Sequence, residues 1–202
     1  MASVLLLSRS AVPFMSPQEA AEHCRVTDEG EFGLLASLVE VAVDMVEDYT
    51  GLALTSNKYR WVSPVWPTDM FDRCPWYATR PAFAGMIVLP RTPLLSVEAV
   101  RYYDAQGVQQ TVSPTLYSVD TFNTPGAVIL GSDFTRPELP AKYRADAVSI
   151  DFTAGLDTSP ARARQAVKIL ASHLYDNQGA ISFSNPADLP HSLKSLLHSL
   201  RI

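Results

Sequence analysis

The chain has 202 residues, 47% of them hydrophobic and 18% charged, enough to bury a sizeable core as one domain or one domain with appendages. Its net charge of -5, with 16 Lys and Arg scattered along it, excludes a broad nucleic-acid-binding face, because neutralising phosphates needs clustered cations. Two cysteines, Cys24 and Cys74, lie far apart, at no metal-ligand spacing and with no disulfide framework, which points to a reducing compartment.

The opening MASVLLLSRS has an apolar run too short for a signal-peptide core and far short of a membrane span, so neither secretion nor a membrane anchor is expected. Ser16-Pro17 then reads as N-cap and first helical position of a short helix, QEAAEHCRV. On this reading two helices precede any strand. His23 and Cys24 are adjacent on that helix and do not point at a common ion, so no metal site is expected there.

The second helix, Glu31 to Tyr49, is the longest periodic apolar run. At 100° per residue Leu35, Leu38, Ala42, Met45, Val46 and Tyr49 form the core stripe, and Glu40, Asp44, Glu47 and Asp48 an opposite, solvated acidic face. Asp28 with Glu31 three residues on has capping-box spacing, and Gly51 supplies a left-handed stop.

Leu54 to Val62, rich in β-branched and aromatic residues, predicts a strand. The following stretch, within 63–85, carries prolines that neither a helix nor a central strand tolerates and reads as an irregular excursion. Its aromatics, Trp66, Phe71, Trp76 and Tyr77, would either dock another protein or fold back on their own domain. A stacking platform for single-stranded nucleic acid is weaker, since only Arg73 and Arg80 supply positive charge nearby. From Met86 onward MIVLP, SVEAVRYYD, TLYSVD, GAVILG and AVSIDFTAG predict short strands in a meander. Val148, Ile150 and Phe152 alternate with Ser149, Asp151 and Thr153, which predicts one buried and one exposed face, with the sheet's apolar side on helices.

Ser159-Pro160 opens a helix with Ala163, Ala166, Val167, Leu170 and Leu174 as its stripe and Gly179 as its stop. After the proline-punctuated ISFSNPADLP, the leucines at 189, 193, 196, 197 and 200 space as an amphipathic tail helix, docked on its own domain or laid in a groove of another subunit or protein. The fold class predicted is α+β: N-terminal and C-terminal helices with a small, mostly antiparallel sheet, a core over 1–180 and a C-terminal arm over 181–202.

Four blocks, in this order and spacing, resemble the tailed-phage head-to-tail connector, or adaptor, family: SPQEAAEHCRVTDEGEFGLLASLVEVAVDMVEDYTGLAL, RTPLLSVEAVRYYDAQGVQQTVSPTLYSVDTFNTPGAVIL, RADAVSIDFTAGLDTSPARARQAVKILASHLYDNQGA and LPHSLKSLLHSLRI. Together they span nearly the whole chain from about Pro13; the stretch from Val62 to Pro81 departs from the family pattern in being longer. The resemblance implies a virion neck protein, made in the host cytoplasm. Copies, twelve to match the portal, would form a ring under the portal protein, extend the channel for double-stranded DNA without reading its sequence, and dock a tail-completion or stopper protein. Within such a ring, the residue patterns above lead to the expectation of a portal or subunit interface at Leu189, Leu193, Leu196, Leu197 and Leu200, a loop interface at Trp66, Phe71, Trp76 and Tyr77 unless these fold back, and an acidic channel lining or outer rim at Glu40, Asp44, Glu47 and Asp48.

The competing class is a small phage-encoded enzyme or regulatory binding protein using that acidic face. No nucleophile elbow or Gly-rich phosphate loop occurs, and His23, His173, His191 and His198 have no partner at catalytic spacing, so no catalytic residue, metal or cofactor is assigned.

Overall fold

The structure is a computed structural model, describing residues 2–67, 85–156, 160–177 and 196–198. It is α+β, and the chain divides into two compact units, Met1–Ser10 with Ser56–Gly155, and Ala11–Thr55 with Leu156–Ile202. Each unit draws on two separate stretches, so the chain crosses from the first unit to the second, back to the first, and once more to the second.

The strand unit holds two antiparallel sheets. The larger is built from β1 (Ser3–Ser8), β2 (Asn57–Ser63), β8 (Val148–Ala154), β4 (Leu94–Tyr103) and β5 (Gln109–Thr111), in the order β1-β2-β8-β4-β5. The smaller is β3 (Met86–Val88), β7 (Ala127–Leu130) and β6 (Tyr117–Asp120), in the order β3-β7-β6. The expected meander is therefore corrected: β8 sits between β2 and β4, joining segments far apart in sequence, and the strands do not pair in chain order throughout. A strand also precedes both helices, because the apolar run at Val4–Leu7 pairs with β2 instead of remaining outside the fold. Its register slips at Leu7, between the pairs Leu6–Tyr59 and Ser8–Lys58.

On one face of the large sheet Tyr59 stacks on Phe152 at 5.6 Å between ring centroids, and Trp61, Val100, Val148 and Ile150 are buried. The small sheet buries Ile87, Val128 and Leu130. The other face of β8 was expected in solvent, but Ser149 and Asp151 are buried too. The reason is electrostatic: Arg60 and Arg101, from the two flanking strands, both bond the Asp151 carboxylate and lie over it. The apolar–polar alternation of β8 therefore marks its two faces correctly, but the polar face is covered by side chains of the flanking strands rather than by water.

The helical unit consists of α1 (Pro17–Cys24), α2 (Phe32–Thr50) and α3 (Ala161–Asp176). Ser16 caps α1 as its sequence predicts, its Oγ accepting from the Glu19 N–H at 3.1 Å. Asp28 caps a single 3-10 turn, Glu29–Glu31, with its carboxylate accepting from the Gly30 N–H, and α2 begins one residue later. Gly51 ends α2 at φ 78°, where a side chain would be strained. The core joins Phe14, Met15 and Ala20 to Val39, Ala42, Val43 and Val46 of α2, and to Ala163, Ala166, Val167 and Leu170 of α3. Glu19 ties α1 to α3 through Arg164 and through Lys168, the latter at 2.9 Å.

Candidate assembly surfaces

Helix α2 carries the first expected surface, and its orientation differs from the simple stripe. Leu35, Val39, Ala42, Val43, Val46, Glu47 and Thr50 face the core, whereas Met45 is exposed and Leu38 half-buried. Apolar residues cover more than half of this helix's circumference, so a 100° periodicity alone allows either side to be the buried one. Of the four acidic residues, Glu40 and Asp48 are exposed and Asp44 is half-buried. Glu47 is the correction: it is 7% exposed, and its Oε1 accepts from the Leu54 backbone N–H at 2.7 Å. The chain folds back after Gly51, which would leave that N–H buried without a partner, and a carboxylate about one turn before Gly51 in the helix reaches it. Thr50 helps in the same turn, its hydroxyl donating to the Val46 carbonyl and accepting from the Leu52 N–H.

With Glu47 removed from it, the outer surface of α2 has two parts. Leu34, Leu38, Val41 and Met45, spaced four, three and four residues apart, form a second apolar stripe, with Leu34, Val41 and Met45 at 40%, 46% and 37% exposure. Glu40, Asp44 and Asp48 run beside it on the side away from the core.

The second expected surface was the excursion. Trp66 is buried in the strand unit, its Nε1 donating to the Pro137 carbonyl at 3.0 Å and its ring lying 5.6 Å from that of Tyr102 and 5.3 Å from that of Phe134. It packs on its own unit, as the fold-back alternative has it. Phe71, Trp76 and Tyr77 lie outside the described residues.

The third was the tail. Leu197 is 1% exposed and belongs to the core of the helical unit, and Leu196 beside it is half-buried. Leu189, Leu193 and Leu200 lie outside the described residues. At Leu197, therefore, the tail is held by its own unit in the isolated chain.

Two further features escaped the sequence. In the strand unit Asp151 accepts from Arg60 Nε at 2.5 Å and Nη2 at 2.9 Å, and from Arg101 Nη1. Burial pushes its carboxyl up, but the hydrogen bonds from the two arginines outweigh that and hold it below the ordinary Asp value. The same contact raises Arg60. The other is β1, whose Leu5 and Leu6, opposite Arg60 and Tyr59 of β2, and Leu7, at the register slip, stand 52%, 44% and 46% exposed. Three consecutive leucines on a strand without charge or proline were the signal available.

Chains of this fold occur in solved structures of gene transfer agent (GTA) particles. A chain from the neck of an empty GTA particle computed with C6 symmetry matches with a TM-score of 0.71 at 24% identity, over 98% of this chain and 95% of that one. A chain from the virion of the native GTA particle matches with a TM-score of 0.68 at 24% identity, over 98% and 94%. A chain from the neck of the native particle computed with C12 symmetry matches with a TM-score of 0.64 at 26% identity, again over 98% and 94%. No protein-family model and no curated protein sequence matches the chain.

Proposed function

We propose that this chain is a structural subunit of the neck of a tailed-phage-like particle: a head-to-tail connector that forms a ring of copies under the portal, extends the DNA channel and docks the next tail-completion protein. The observation that carries this reading is the end-to-end likeness to a neck chain from a particle of C12 symmetry, at 26% identity and covering 98% of one chain and 94% of the other. The net charge of -5 suits a body that duplex DNA passes without adhering. In this reading Leu189, Leu193, Leu196 and Leu200 contact portal or a neighbouring subunit, with Leu197 pinning the tail to its own unit, and twelve copies match the portal. Phe71, Trp76 and Tyr77 serve a subunit or tail-facing contact.

The test is to mix purified full-length protein with portal rings and examine the product by electron microscopy and mass measurement. A ring of copies seated on one end of portal is expected. A chain that stays monomeric and unbound at saturating portal overturns the reading.

A further inference from the structure

The two most exposed aromatic side chains among the described residues are Phe122, 98% exposed, and Tyr143, 80% exposed. Both belong to the strand unit, and they stand at its opposite ends. Phe122 sits on the turn between β6 and β7, whose Gly126 lies against Leu94 at the start of β4. Tyr143 lines a cavity of about 460 Å³ together with Ala105, Gly107, Pro140, Ala141 and Lys142, just past the end of β4 at Tyr103. The ten residues of β4 separate these ends by roughly 30 Å, so Phe122 cannot enter the cavity of its own chain.

The turn is built to hold the Phe122 ring out. The Asp120 carboxylate accepts from the Phe122 N–H at 3.0 Å, the Asn123 N–H at 3.1 Å and Asn123 Nδ2 at 2.6 Å, and Gly126 closes the turn where a Cβ would not fit. A ring ordered before contact loses little further freedom on binding, which is the property of an interface anchor. The cavity supplies what such a ring packs on: small apolar walls at Ala105, Pro140 and Ala141, and the Tyr143 ring for an aromatic pair. At its border Arg144 is paired with Asp146, and Asp104 accepts from Gln106, Val108 and Gln110 of its own turn. Neither Lys142 at the cavity nor Asp120 beside the Phe122 ring is in an ion pair among the described residues.

We infer that Phe122 of one copy inserts into the Tyr143 cavity of the next. The inference rests on the ring reading above and adds the contact by which successive copies join. One contact then covers both exposed aromatic rings and brings Asp120 to the side of the cavity that carries Lys142. Turn against turn would instead oppose two Asp120 carboxylates, and cavity against cavity would leave both Phe122 rings in water. A knob at one end and its socket at the other make the contact heterologous, and such contacts generate rings where a contact between identical patches stops at a pair.

The experiment uses the full-length chain with the photo-cross-linker p-benzoylphenylalanine in place of Phe122, mixed with isotope-labelled parent chain, assembled on portal rings and irradiated. Mass spectrometry should find mixed-isotope peptides joining position 122 of one copy to the 105–107 or 140–144 stretch of another. In parallel, Phe122→Ser and the cavity-filling Ala141→Trp, both at exposed positions, should keep the melting temperature of the parent and weaken self-association at least about tenfold. Phe122→Tyr, which keeps a ring, should associate as the parent does. Rings in which position 122 cross-links to portal, to position 122 of another copy or to nothing overturn the inference and leave the neck reading standing, as do rings formed by Phe122→Ser at parent affinity. Absence of any ring of the parent chain, free or on portal, overturns both.

Discussion

Replacing Asp151 with Asn keeps the shape of the carboxylate but leaves Arg60 and Arg101 facing each other without a counter-charge. Hydrogen bonds to charged groups are worth about 1.5–3 kcal/mol each, reduced here because both arginines are partly in water, so a loss of about 1–3 kcal/mol is expected by urea denaturation. The sign with pH follows from the lowered carboxyl. The stabilisation is fully present above the unfolded Asp value near 4, and is lost as pH falls through the lower folded value. The difference in stability between parent and Asp151→Asn should thus be constant from neutral pH to about pH 4 and shrink below it; a difference that disappears already at pH 6 would contradict this account. Gly126 makes a second residue-level prediction. A Cβ there would lie 2.5 Å from Leu94 Cβ and 3.0 Å from the Asp120 carbonyl oxygen, so Gly126→Ala should cost about 1–3 kcal/mol through overpacking, measured the same way. Both effects are invisible in sequence for one reason: they depend on strands distant along the chain lying side by side. The caps at Ser16 and Gly51 were legible because each is decided within a few residues.

At the scale of the element, α2 shows how far periodicity reaches. Its limits and amphipathic character are readable from Glu31 to Gly51, but its rotation is not, because the apolar arc is wide enough to include both a buried and an outward stripe. Glu47 lies at the border of the buried arc, where an acidic residue reads as solvated until the Leu54 N–H is placed beside it. Glu47→Ala should therefore destabilise by about 1–3 kcal/mol, with Glu47→Gln, which retains an acceptor, costing less; equal losses in the two variants would show that the hydrogen bond is not what matters. Trp66 gives the corresponding test for the excursion. The sequence left docking and folding back equally open, and the ring contacts with Tyr102 and Phe134 make its burial intramolecular. Trp66→Ala should cost about 3–5 kcal/mol in the isolated subunit, and an unchanged melting temperature would reassign this tryptophan to a partner.

For the whole molecule, the α+β class was readable because helical and strand segments differ in period and length, whereas the interleaving of two units was not: Ser3–Ser8 and Ser56–Gly155 join across an intervening helical segment. The same long-range logic bears on the tail. A proline-punctuated linker before a leucine-spaced segment reads as an arm that leaves its domain, yet Leu197 closes the core that α2 and α3 share. Removing everything after Asn185 should then have two separable effects. Losing Leu197 from a buried site should destabilise the helical unit by an amount comparable to a Leu→Ala change, about 2–5 kcal/mol, lowering the melting temperature of the free protein. Losing Leu189, Leu193 and Leu200 should reduce attachment to portal. A full-length Leu197→Ala variant isolates the first effect, and a Leu193→Ser/Leu200→Ser variant the second. The expected pattern is lower stability with portal binding retained for the former, measured below its melting temperature, and native stability with weakened binding for the latter. If Leu193→Ser/Leu200→Ser binds portal at full strength, the tail is a core element alone, and attachment falls to another surface of the chain.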